Sequence, residues 1–185
     1  FVKTGHVNLT RRYLIRYNPT GILRLFKQIV DNGWNSIDDI VDNSKDTRGS
    51  ITNKLGELRK LKLLEGTNNT FIVNGLALNA YQDDQILKYV ANVLMNNSIV
   101  KIIIGKLNMH VKLSLEDVGN ILKAEMPFIE ASENIWKFYS KTMCKWMHTI
   151  RLAEFRNEHI LKVNVDIDSF DIVTDEVFFP TVQIS

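Results

Sequence analysis

The amino-acid sequence predicts an α+β, mainly helical fold in which one helical block is used twice. Three observations carry this expectation. Apolar residues recur at helical spacing in several stretches separated by Gly, Asn, Ser or Thr. Ser and Thr stand where such stretches begin, as helix N-caps do. Two pairs of short apolar runs, each pair folded about an Asn-containing tip, read as β-hairpins. Composition agrees: 45% hydrophobic and 24% charged residues over 185 positions match a globular protein and exclude disordered and low-complexity classes. That length allows one or two domains.

In chain order, Ile22, Leu25, Phe26 and Ile29 recur at helical spacing between Gly21 and Val30, and Asn32-Gly33 ends that helix. Ser36 caps a short helix carrying Ile37, Ile40 and Val41. After the polar turn Asp42 to Asp46, Thr47 caps a third helix to about Lys60. Leu63 to Glu65 and Thr70 to Val73 flank Gly66-Thr67-Asn68-Asn69 as a hairpin. Asp83 and Asp84 start a connecting helix with Ile86, Leu87, Val90 and Val93.

The block then returns. Ser98 precedes a helix containing Ile99, Ile102, Ile103 and Leu107, and Ser114 with Leu115-Glu116-Asp117 makes a capping-box-like start for a helix through Leu122. Pro127 breaks the chain, and Ser132-Glu133 open a long helix to about Ile150. Leu152 to Phe155 and His159 to Val163 flank the tip Arg156-Asn157-Glu158 as a second hairpin.

Helix, helix, helix, hairpin is the order of a winged helix, and it occurs twice. The expected organisation is a basic arm over 1–17, a first winged helix over 18–80, a linking helix and second winged helix over 81–164, and an acidic strand segment over 165–185. Phe1 to Gly5 repeat the pattern of Phe71 to Gly75, as the exit strand of a preceding unit would. With no initiator Met, the chain is expected to be a piece of a longer protein.

Net charge is only +2, yet residues 1–35 carry +5 and residues 165–185 carry −5. This asymmetry reads as a basic patch for nucleic acid and an acidic tail for another domain of the parent, or as two solvated faces. The single cysteine, Cys144, can form no internal disulfide and no Cys-rich zinc site, so a reducing, cytoplasmic setting is the expectation. Runs such as Ile102 to Ile104 and Val177 to Phe179 fall far short of the ~20 residues of a membrane span. No secretory signal is visible.

Catalytic readings are weak. His6, His110, His148 and His159 lie in different elements with no metal-ligand spacing. Asp166-x-Asp168-x-x-Asp171 lacks the Gly and terminal Glu of a calcium loop, and the alternation of Val165, Ile167, Phe170 and Ile172 reads better as a strand. Cys144, between Lys141 and Lys145, has a lowered thiol pKa only if exposed. No catalytic residue, metal or cofactor is therefore expected.

The run Thr70 to Leu78, followed by the helix around Ile86 and then the Ser98 and Ser114 helices, resembles the linked winged helices in the DNA-recognition part of type IIS restriction endonucleases. It is also similar to the winged-helix segment appended to some bacterial AAA-associated proteins. The resemblance covers most of residues 18–164 and rests on apolar positions and element order. It implies a non-catalytic module that binds double-stranded DNA in a restriction or other DNA-defence setting, with any nuclease or ATPase domain elsewhere in the parent. No nuclease motif or nucleotide-binding loop accompanies it.

The third helix of a winged helix normally reads DNA, so its exposed face carries the candidates. On the second copy, at about 100° per residue, Ile135, Trp136, Phe138, Tyr139, Thr142, Met143, Trp146, Met147 and Ile150 fall on one half. Asn134, Lys137, Lys141, Cys144, Lys145 and His148 fall on the other. The i,i+4 lysines have no acidic partner within that arc and repel by roughly a few tenths of a kcal/mol per pair, which a phosphate backbone would relieve.

On the first copy, Ile51, Leu55, Leu58 and Leu61 point inward, while Gly49, Thr52, Asn53, Gly56 and Lys60 face away, flanked by Arg48 and Arg59. Arg48 and Asn53 are the candidates for base readout, since Arg pairs bidentately with guanine and Asn with adenine. Asn69 in the hairpin tip is a candidate phosphate or minor-groove contact. The alternative is a protein-interaction scaffold of winged helices that binds no DNA.

Overall fold

A computed structural model describes residues 16–163, and the expectations for the start of the basic arm and for the acidic segment lie outside them. The described chain is α+β and mostly helical. Helix α1 spans Pro19–Asn32. It begins two residues before the periodicity implied, because Pro19 at the first helical position has a preset φ and no N–H to leave unpaired. It ends at Gly33, where φ is 64° and the N–H groups of Gly33 and Trp34 turn back onto the carbonyls of Val30 and Ile29.

Helices α2 (Ile37–Asp42) and α3 (Arg48–Lys60) are capped by the Ser36 and Thr47 hydroxyls, which accept from the N–H of Asp39 and Ser50. Strands β1 (Leu64–Gly66) and β2 (Phe71–Val73) pair antiparallel with Glu65 opposite Ile72. Helix α4 (Gly75–Gln82) is not among the elements that periodicity predicts, because it buries only Ala77 and so shows almost no apolar stripe. Asp83 and Asp84 do not start the connecting helix. Asp83 closes α4, Asp84 turns at φ 57°, and α5 begins only at Ile86 and runs to Leu94.

Helix α6 (Ser98–Met109) is capped by Asn97 rather than Ser98, the Asn97 side chain accepting from Ile99 and Val100. Strand β3 (Lys112–Ser114) leads into α7 (Leu115–Glu125), whose capping box between Ser114 and Asp117 is complete. Helix α8 (Glu133–Thr149) is capped by Ser132 and is followed by β4 (Glu154–Arg156) and β5 (His159–Leu161). The second sheet runs β3-β5-β4, all antiparallel.

The repetition is visible in individual hydrogen bonds. The first residue of the second helix in each block, Ile37 or Leu115, donates its N–H to the tip of the following hairpin, at Asn68 (2.8 Å) or Glu158 (3.2 Å). Two residues past the end of each third helix stands a basic residue in left-handed conformation, Lys62 (φ 58°) or Arg151 (φ 64°). The next residue then donates back to a carbonyl five positions earlier, Leu63 to Leu58 and Leu152 to Met147, both at 2.9 Å.

Ile22, Phe26, Ile29, Leu55, Leu58 and Phe71 fill the first block, and Val118, Leu122, Trp146, Met147 and Ile160 the second, all almost fully buried. At about 1.5–3 kcal/mol per large apolar side chain removed from water, these stripes are the main drive to fold. The blocks meet where α1 lies against α8, and there the buried Trp146 indole donates to the Tyr17 carbonyl at 2.7 Å. Among the described residues no single helix is long and apolar enough to cross a membrane; α5 and α6 have the combined length but are bent by 90°, and their apolar faces lie in the core.

Candidate nucleic-acid interface

On α3, the residues that face solvent are small and uncharged: Gly49 and Asn53 are exposed, and Thr52 and Gly56 half-exposed. The Thr52 hydroxyl donates to the Arg48 carbonyl (2.8 Å). A methyl group added at either Gly49 or Gly56 would meet nothing within 4 Å. Arg48 reaches back to Asp38 of α2 at 2.8 Å, in a pair exposed enough to contribute little, about 0.2–1 kcal/mol. Its guanidinium is therefore near the α3 face but held by a partner that is easily exchanged.

Arg59 and Lys60 have different surroundings from those expected. Arg59 is half-buried and donates to the Asn68 side chain, so it ties the hairpin tip to α3. Lys60 does not face away; its ammonium lies 3.4 Å from Glu57, which is buried. Burial pushes the Glu57 carboxyl above its ordinary range, and the charges of Lys60 and Arg16 partly offset that. Both cations thus serve the frame of the first block. Asn69 is exposed at the tip.

On α8, Asn134, Lys137 and Lys145 are exposed and Lys141 half-exposed, in one row along the helix. Three expectations for this helix are corrected. Ile135 and Phe138, placed on the inward half by periodicity, are 44% and 51% exposed. Cys144, placed on the outer arc, is fully buried, and burial pushes its thiol up to about 12. His148 is half-buried; its Nδ1 accepts the Phe155 N–H at 3.0 Å, and burial, with Arg151 nearby, holds its pKa below the ordinary value. His148 is consequently a neutral fastener between α8 and β4 at pH 7, not a cationic contact.

The lysine row also has an acidic neighbour that helix geometry alone does not reveal. Glu158, in the tip between β4 and β5, lies 4.0 Å from Lys137 and 3.8 Å from Lys141. Asn157 and Glu158 both have positive φ, 52° and 58°, as a two-residue hairpin turn requires. That turn sets the carboxylate beside the helix. A charge in a hairpin tip has to be counted on the face of the third helix beside which the tip folds.

Among the described residues no group of three or more His, Cys, Asp or Glu side chains is arranged to hold a metal ion. The site is an exposed pair of helix faces with hairpin tips alongside, one face small and neutral, the other cationic. No protein-family model, curated protein or solved structure matches the chain.

Proposed function

We propose that residues 18–163 form two winged helices that bind double-stranded DNA without reacting on it. In this reading α8 grips the phosphate backbone and α3 lies close against base edges. The observation that carries it is the row Lys137, Lys141 and Lys145 on the solvent side of α8. Each phosphate neutralised by such a lysine releases counterions, a gain that ordinary solvation of the row does not offer. The α3 face supports the second role. Its glycines lower helix propensity, by about 1 kcal/mol at an interior position, and space stands open for a side chain, so folding alone does not ask for them. Close approach of another surface does.

Affinity for duplex DNA should fall steeply between low and moderate salt, and Lys137→Glu with Lys141→Glu should weaken binding to every sequence alike. Glu158→Gln should act oppositely, tightening binding, because it removes the carboxylate that competes with phosphate for both lysines. Arg48→Ala should relax preference at one base position. Absence of duplex binding at low salt refutes the reading. A protein-interaction scaffold is the second reading, favoured by the exposed Ile135 and Phe138 of α8; binding of a protein partner that survives high salt and is lost with Phe138→Ser supports it. A restriction or DNA-defence setting for the parent rests on the family resemblance, and its test is loss of that protection when Lys137 and Lys141 are reversed in the parent.

A further inference from the structure

A groove of about 530 Å³ lies where the two blocks meet, lined by the first turn of α1 and by side chains of α3 and α8. Three cations from three helices border it: Arg24 of α1, Lys54 of α3 and Lys145 of α8. Among the described residues that line it there is no Asp or Glu. Lys54 also pairs with Asp46, 2.9 Å away and outside the lining.

The first turn of α1 adds to this. Asn18 at its N-cap makes no side-chain bond to the turn, Pro19 has no N–H, and the amides of Thr20 and Gly21 find no acceptor within the helix. All four residues line the groove. Its shape is set by the bond from the Trp146 indole to the Tyr17 carbonyl, which holds the start of α1 against α8. Lys145 belongs both to this groove and to the solvent row of α8, so the row Lys137, Lys141, Lys145 leads directly into it. Eight residues of helix separate Lys137 from Lys145, about 12 Å at 1.5 Å per residue, a span that covers more than one phosphate of a strand.

We infer that this groove takes a backbone phosphate of the bound duplex, so that one nucleic-acid strand runs along α8 and onto the first block, and the two blocks share a single footprint. The inference rests on the DNA-binding reading above and adds the residues Arg24, Lys54 and Lys145 as phosphate ligands. Bound phosphate would also bridge the blocks, since its ligands come from both.

The experiment is the salt dependence of duplex binding by the full chain, with Arg24→Gln, Lys145→Gln and the double variant compared with the unaltered protein. A slope of about −0.9 in log affinity against log salt accompanies each neutralised phosphate. The double variant should therefore lose about one unit of slope and weaken binding equally on all sequences, while Lys145→Arg retains the slope. Unchanged thermal midpoints establish that the variants fold. If the unaltered protein binds duplex and the folded double variant keeps the full slope, the groove is not a phosphate site and this inference fails alone. If the unaltered protein binds no duplex at low salt, the DNA-binding reading fails and takes the inference with it.

Discussion

Replacing Gly49 and Gly56 by alanine separates what α3 needs for folding from what its face offers a partner. Neither residue has positive φ, and a Cβ at either position meets nothing within 4 Å, so alanine introduces no strain. In a helix interior alanine is about 0.8–1.0 kcal/mol more favourable than glycine. Gly56 takes the full effect and Gly49, in the first turn, about half of it, for a combined gain of about 1.5 kcal/mol. The positions are seven residues apart, about 10 Å along the axis, far enough for the gains to add. For a chain of this size 1 kcal/mol moves the midpoint by about 2–4 °C, so thermal unfolding followed by circular dichroism should show the double variant about 3–6 °C more stable. On the proposed reading, duplex affinity should fall in the same protein, because two methyl groups now stand between α3 and the base edges. A midpoint unchanged or lowered refutes the open-space argument; a raised midpoint with undiminished affinity refutes close approach.

Trp146→Phe removes the donor to the Tyr17 carbonyl and leaves a small void in the fully buried contact between blocks, which should cost about 2 kcal/mol in denaturant unfolding; a loss under about 0.5 kcal/mol shows the link to be idle. His148 has its pKa lowered by burial, so the fold prefers the neutral ring. Its contribution is complete above the unfolded value of about 6.5 and is lost as pH falls through the lower folded value. Stability measured from pH 8 to pH 5 should decline, and His148→Gln should flatten that decline. Cys144, with its thiol pushed up to about 12, should resist alkylation by a maleimide in the native protein at pH 8 and react once the chain is unfolded; rapid native labelling contradicts its burial.

Local signals carried far in this chain. Ser36, Thr47, Ser114 and Ser132 cap the helices assigned to them, and the stripe Ile51, Leu55, Leu58, Leu61 is buried as its spacing implies. Strand β3 was invisible because three residues cannot display an alternating pattern; its pairing partner, β5, lies more than forty positions away. The buried face of α8 departs from its periodicity for a different reason. Periodicity gives the width of an apolar stripe, but the neighbour decides its centre. Gly119 of α7 lies against Ser140, where a Cβ would come within 3.3 Å of the hydroxyl, and this close packing draws the Ser140 and Cys144 side of α8 inward. Ile135 and Phe138, in the first two turns of α8, are exposed, while Thr142 and Thr149 farther along that side are buried. Pairings between elements, such as Glu158 with the α8 lysines, depend on tertiary placement and leave no trace in local spacing.

The matching helix ends at Lys62 and Arg151 bear on how such a module can change. The two blocks agree in the hydrogen bonds that stop a helix and aim a hairpin, and differ in what their third helices present to solvent: glycine, threonine and asparagine on one, a lysine row on the other. Architecture and surface are therefore separable. On the proposed reading, substitutions on α3 alter which DNA is chosen, and substitutions on α8 alter how firmly any DNA is held. A duplicated scaffold with unlike faces can be redirected to a new target through its first half while the second keeps its grip.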